Sequence, residues 1–164
     1  MFGDGDGWAA GPQGTRMWGL HGAAGLFLVA GDKLLLQHRA HWTANGGTWG
    51  LPGGARDSHE TAAEAALREA EEETGIKPSQ VTVLAELCTS GPFPGDPLRP
   101  ELAAGWTYTT VLARADKELA TTANNESLEL RWVDFGALTS MNLIPPLAEN
   151  LDLLCREIGR RKAC

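Results

Sequence analysis

The sequence predicts an α/β fold, a three-layer α/β/α sandwich around a mixed β-sheet. Three observations point there. Apolar and β-branched stretches recur from Gly22 to Val133, an Ala- and Glu-rich helical segment interrupts them, and an amphipathic segment with Leu every three or four residues follows them. Strands alternating with two helices in this order fit a sheet covered on both faces. The composition agrees: 164 residues, 43% hydrophobic and 21% charged, is the range of one globular domain with a real core.

Residues 1–17, MFGDGDGWAAGPQGTRM, combine Gly with Asp and Pro and read as a flexible N-terminal arm. Trp8 within it is expected to lie on the domain surface, the alternative being a dimer contact. Residues 18–158 are expected to form the single domain, and 159–164, GRRKAC, a basic and frayed C-terminal tail. Gly22–Ala30 reads as a buried strand, Gly31-Asp32 as a hairpin turn, and Lys33–Ala40 as the return strand, with Leu34–Leu36 buried on both faces. A loop over 41–48 carries His41, Trp42 and Asn45, and Trp49–Pro52 is a short strand.

The next stretch, Gly53 to Ile76, organises the rest. It starts as a glycine-rich turn. Asp57 with Glu60 three residues on reads as a capping box, and Thr61–Thr74 is dominated by strong helix formers. Gly75 suits the left-handed C-terminal position, and Pro78 forbids continuation. Val81–Cys88 is then a strand offering Val81, Val83 and Leu84 to the core. A proline-rich loop over Ser90–Gly105 has the length of a functional or mobile segment. Trp106–Ala115 is a β-branched, aromatic strand, Ala120–Glu126 a polar turn, and Leu128–Val133 a half-exposed strand. Phe135–Leu138 forms a helical turn, and Ile144–Ile158 a final helix with Leu147, Leu151, Leu154 and Ile158 on one face.

The faces of the first helix carry the chemistry. At about 100° per residue, Ala62, Ala63, Ala66, Leu67 and Ala70 form one apolar arc. Glu69, Glu72 and Glu73 stand along its edge at spacings of three and four, with Glu73 projecting inside the arc. A carboxylate buried alone is costly, and three neighbouring ones raise each other's pKa values. A hard divalent cation among them relieves both costs, since oxygen donors suit Mg²⁺ or Mn²⁺. Without a cation the same pattern is a solvated acidic face with a Glu64–Arg68 pair at i, i+4.

From Gly54 the chain reads G, five residues, E, seven residues, then REAEEETGI. This resembles the Nudix box, G-x5-E-x7-R-E-U-x-E-E-x-G-U with U a bulky apolar residue, at every fixed position; Ala70 is the soft match. The preceding WGLPGG also looks like the usual approach to that box. The resemblance is tight over Trp49–Ile76 and at the level of element order over about Gly22–Leu154.

It implies the Nudix fold and metal-dependent cleavage of a pyrophosphate bond in a nucleoside diphosphate linked to another group. Glu69, Glu72 and Glu73 match the family's metal-binding glutamates, with a backbone carbonyl of the Gly53-Gly54 turn as a further ligand. The cation would be Mg²⁺, or alternatively Mn²⁺. One of these glutamates, or one further along the chain, would take the proton from water. Arg68 matches the box arginine that orients a catalytic glutamate, and Glu60 the first box glutamate. Glu126, just ahead of the last strand, is the candidate for a fourth carboxylate, with Glu129 the runner-up. Arg39 is a candidate for phosphate contact, and Trp42, Trp49 and Phe93 for stacking on a base.

Three readings of function remain open. The first is a house-cleaning pyrophosphohydrolase of nucleoside triphosphates. The second is an ADP-ribose or nucleotide-sugar pyrophosphatase, for which Pro92, some sixteen residues beyond the box, is weak support. The third is a non-catalytic nucleotide-binding module, disfavoured because all three box glutamates are present. The net charge of −7 argues against a nucleic-acid polymer as partner, while a small phosphorylated nucleotide fits a metal-assisted site. Three scattered cysteines, the lack of a membrane-length apolar run and the lack of a signal-peptide pattern suggest a reduced, cytoplasmic protein without a membrane partner. A homodimer is left open, because family members are often dimers.

Overall fold

The computed structural model describes residues 3–43 and 45–162, with side chains through residue 160. Strands β1 (Trp8–Ala10) and β2 (Arg16–Trp18) pair antiparallel, with Trp8 opposite Trp18. They are followed by β3 (Ala23–Ala30), β4 (Lys33–Arg39), β5 (Trp49–Gly50) and β6 (Gly53–Ala55). Helix α1 spans Ala62–Thr74; β7 (Thr82–Phe93), β8 (Trp106–Arg114), β9 (Ser127–Asp134) and helix α2 (Pro145–Lys162) complete the chain. The main sheet has seven strands in the order β5-β4-β3-β8-β7, with β6 paired to β3 and β9 to β4. The β3–β8 pair is parallel and the other pairings of this sheet are antiparallel, so the sheet is mixed as the sequence predicts.

β3 explains the layering. Its even residues Leu26 and Leu28 pack with Ala65, Ala66 and Ala70 of α1, and its odd residues Phe27 and Val29 pack with Leu147, Leu154 and Ile158 of α2. A strand buried on both faces needs a continuous apolar run, which GLFLVA supplies. The small side chains of α1 allow that helix to lie close on the sheet. This proximity brings its glutamates to the sheet backbone.

Several details depart from the sequence-based expectation. The first 17 residues, expected as a flexible arm, hold β1 and most of β2; Ala9 and Ala10 are fully buried, and the Ala10 N–H donates to the Ala103 carbonyl at 2.8 Å. The glycine-rich turn at Gly53–Ala55 is a short strand on β3. Helix α1 is capped four residues later than Asp57. Thr61 Oγ1 accepts from the Glu64 N–H at 3.1 Å and Glu64 Oε1 from the Thr61 N–H at 3.0 Å. Glu60 instead closes a local turn onto the Asp57 N–H and is committed to Arg68. With Glu64 used in the cap, the expected Glu64–Arg68 pair gives way to ion pairs from Arg68 to Glu60 and Glu69. Gly75 ends the helix at φ 79°, the left-handed conformation expected of it.

β7 runs on to Phe93, so the proline-rich loop starts later than Ser90. Its register shifts between Val83 and Ala85, leaving Val83 38% exposed instead of in the core, while Leu84 packs towards α2. Helix α2 carries through Lys162, into the stretch read as a frayed tail; Ala163 and Cys164 lie outside the described residues. Among the described residues no helix is long and apolar enough to cross a membrane.

Candidate active site

The last turns of α1 present Glu69, Glu72 and Glu73 towards β6 and the turn before β9. Glu73 is only 3% exposed. Its Oε2 accepts from the Gly53 N–H at 2.8 Å, and its Oε1 lies 3.4 Å from Gln37 Nε2. Burial, a hydrogen bond shared with the Glu126 carboxyl and the charge of Glu69 push its pKa up to about 9. Burial is also the first cause of the raised pKa of Glu69; the Arg68 guanidinium works against it, while Glu72 and Glu126 add to it. A Cβ at Gly54 would come within 2.6 Å of the Glu69 carboxyl carbon, so any side chain there would push this carboxylate from its position. Glu72 is exposed at the rim, 3.7 Å from Arg68 Nη1.

Arg68 ties the cluster to the sheet. Its Nε and Nη2 donate to both oxygens of Glu60 at 2.7 and 2.9 Å, Nη1 donates to Glu69 at 2.8 Å, and Nη2 also reaches the Ala55 carbonyl at 3.0 Å. This two-point clamp holds the Glu60 carboxyl below its ordinary pKa and raises that of the guanidinium. Asp57, His59 and Glu60 also offer ligand atoms within 4.8 Å of one another. Two of those groups already have partners: Asp57 Oδ1 accepts from the Gly5 N–H at 2.9 Å, and Glu60 from Arg68.

The two candidates for a fourth carboxylate separate clearly. Glu126 faces Glu73 and Glu69. Glu129 instead makes a two-point pair with Arg131 at 2.8 and 2.9 Å. Gln37 Nε2 donates to Ser127 Oγ at 2.8 Å, while its buried Oε1 has no hydrogen-bond partner among the described residues. Converging carboxylates with raised pKa values beside an unpartnered buried oxygen are the chemistry a hard divalent cation satisfies. Glu69, Glu73 and Glu126 could hold one, with Glu72 at the rim; the observed contact of Gly53 with this cluster is its N–H to Glu73.

Two cavities meet at β6. One, of about 450 Å³, is lined by the acidic groups Asp57, Glu60, Glu69 and Glu72 with Arg68. The other, of about 290 Å³, lies towards α2 and is lined mainly by apolar residues including Leu51, Trp106, Ile144 and Leu147, with Arg39 and Asn150 among its polar groups. Ala55 borders both cavities, and Gly54 lines the apolar one while touching Glu69.

Of the residues considered for substrate, Arg39 lines the apolar cavity, whereas the three aromatics line neither. Trp42 is 68% exposed in the loop after β4. Trp49 is buried, stacked on His38 at 4.3 Å, with the Arg131 guanidinium 4.8 Å from its ring centre. Phe93 stacks on Trp106 at 5.9 Å, and it is Trp106 that faces the cavity. Pro92 lies within β7 and does not line the cavity. Sequence reasoning missed Tyr108, Asn150, Met17 and Trp18, which do line it. The Tyr108 hydroxyl lies against Gly25, where a side chain would collide with it. The alternation of β8 could have revealed Tyr108, which shares a sheet face with Thr110 and the core residue Leu112.

Comparison with known proteins bears on the fold and the family. The family model described as NUDIX domain matches residues 19–154. A Mycobacterium tuberculosis protein named "Putative 8-oxo-dGTP diphosphatase 3" is 46% identical over 151 residues, covering 89% of this chain and 67% of its own. A nucleoside triphosphate pyrophosphatase/Nudix hydrolase fusion protein of Bifidobacterium longum is 35% identical over 92% of this chain and 32% of its own. Among solved structures, a Nudix hydrolase from M. smegmatis superposes with a TM-score of 0.83 at 44% identity, covering 95% of this chain and 96% of that one.

Proposed function

Given that the chain belongs to the Nudix family and is a pyrophosphatase of the hydrolase class, we propose that its substrate is a nucleoside triphosphate. The base would occupy the apolar cavity and the phosphates would cross β6 to the carboxylates. The observation that carries this reading is at Gly54–Ala55, where a cavity fit for a flat apolar group borders, across Ala55, the acidic cavity that Glu69 and Glu72 line. The similarity to a protein named for 8-oxo-dGTP supports a purine triphosphate as the first substrate to test.

The difficulty of the reaction is attack by water on phosphorus shielded by negative oxygens, so catalysis is positioning and charge neutralisation. A divalent cation, Mg²⁺ or Mn²⁺, held by Glu69, Glu73 and Glu126 with Glu72 at the rim, would supply that neutralisation. The chain's own groups do the rest. Arg68 keeps Glu69 in place by clamping it together with Glu60 and the Ala55 carbonyl. Gly53 orients Glu73 through its N–H. Arg39, which lines the apolar cavity with Tyr108, would meet the phosphate nearest the nucleoside as the chain of phosphates leaves that cavity. Glu73 and Glu126 lie close together at the site, and either is a candidate to accept the proton from the attacking water once a bound cation holds both ionised.

The test is turnover with Mg²⁺ on a panel of 8-oxo-dGTP, ordinary triphosphates, ADP-ribose, dinucleotide polyphosphates and nucleotide sugars. Triphosphates, cut to monophosphate and pyrophosphate, should give the highest kcat/KM. ADP-ribose or a nucleotide sugar as the best substrate would overturn the triphosphate reading. No turnover of any member would favour a binding module. Glu73→Gln should lower turnover about a thousandfold or more, the loss of several kcal/mol of transition-state stabilisation.

A further inference from the structure

The β1–β2 hairpin precedes the stretch that the NUDIX model matches, which starts at residue 19, yet it supplies part of the wall of the apolar cavity. Met17 and Trp18 line that cavity beside Leu51, Trp106 and Ile144. The hairpin and the chain before it are fastened at several separate points. Trp106 Nε1 donates to the Trp18 carbonyl at 3.1 Å, next to the cavity. Ala10 N–H reaches the Ala103 carbonyl, and Arg99 donates to the carbonyls of Gly14 and Thr15. Towards the acidic cavity, Gly5 N–H donates to Asp57 and Ser58 donates to Asp4.

Trp18 nevertheless stays 46% exposed. Its ring is braced by Trp8 in an edge-on contact at 4.9 Å and 80°, and the Arg16 guanidinium lies 3.8 Å from the Trp8 ring centre. A large ring with a fixed main chain, braced from one side and open to a cavity, is prepared to receive a flat partner at little entropic cost.

We propose that Trp18 is a specificity-determining residue that stacks on the nucleobase of the substrate, and that the β1–β2 hairpin exists to hold it there. The inference rests on the triphosphate reading of the cavity. Stacking on an aromatic side chain is tolerant of base identity, so Trp18 selects substrates that carry a base, while the cavity's polar groups remain available to choose among bases.

The experiment compares the full chain with Trp18→Ala and Trp18→Phe. Steady-state kinetics on the best triphosphate should show KM raised about tenfold in Trp18→Ala with kcat within about twofold, and Trp18→Phe should recover most of the loss. Calorimetric binding of the corresponding nucleoside monophosphate reads the same contact without turnover, and its Kd should weaken by the same factor. Unchanged KM and Kd in Trp18→Ala overturn the proposal. So does a loss confined to kcat, or a shift in oligomeric state with KM unaltered. Failure of the triphosphate reading looks different: the wild type itself then prefers another substrate class or turns over none.

Discussion

The acidic cluster at the end of α1 and the apolar cleft below α2 meet at β6, but they are encoded in opposite ways. The cluster takes Glu60, Arg68, Glu69, Glu72 and Glu73 from one continuous stretch, and helix geometry alone brings the last three together. The cleft takes Trp18 from the hairpin, Arg39 from β4, Tyr108 from β8 and Asn150 from α2. No local spacing connects these residues. A catalytic function can therefore be legible in a sequence while its substrate is not.

After the loss expected of Glu73→Gln, the next largest effect sharpens that contrast on the acidic side. Gly54→Ala places a methyl group against the Glu69 carboxyl, so turnover should drop by about two orders of magnitude or more while circular dichroism stays native. A fully active Gly54→Ala would break the assigned geometry. Next comes Arg68→Ala, which strips the partner from a nearly buried Glu60. Because Arg68 is 34% exposed, the loss should sit at the lower end for a broken ion pair, about 2–3 kcal/mol by denaturant unfolding.

The third prediction concerns pH. The folded-state pKa of Glu73 is about 9 against an ordinary 4.5, so the folded chain keeps a proton that the unfolded chain releases. The metal-free protein should lose stability as pH rises from 4.5 to about 9, with no such loss below that window. Thermal melts of wild type and Glu73→Gln across that range check it, and the variant should show a flatter profile. The smallest effect is on the cleft side. Trp42→Ala should leave KM within about twofold, because Trp42 lines neither cavity.

What the sequence made legible was periodic. The buried run of β3, the apolar face of α2 and the glutamate spacing of α1 all follow from residues facing one way at a fixed repeat. What it hid depended on competition between partners. Asp57 and Glu60 have capping-box spacing, and Glu60 does reach back to the Asp57 N–H, but the Asp57 carboxylate accepts from Gly5 and the cap falls to Thr61. Trp49 and Phe93 were reasonable stacking residues by type, yet His38 and Trp106 already cover them. The hairpin was least visible, since its three-residue strands sit among glycines and its burial comes from residues nearly a hundred positions away. Glu126 and Glu129 differ by three positions, but Glu126 lies in the turn before β9 while Glu129 lies on that strand and is paired by Arg131.

A divalent cation held by Glu69, Glu73 and Glu126 should be visible in calorimetric titration with Mn²⁺ of the wild type, Glu73→Gln, Glu126→Gln and Glu129→Gln. Affinity should fall at least about tenfold in the first two variants and stay unchanged in Glu129→Gln. Equal affinity in all four proteins, or a loss confined to Glu129→Gln, would contradict that cation site.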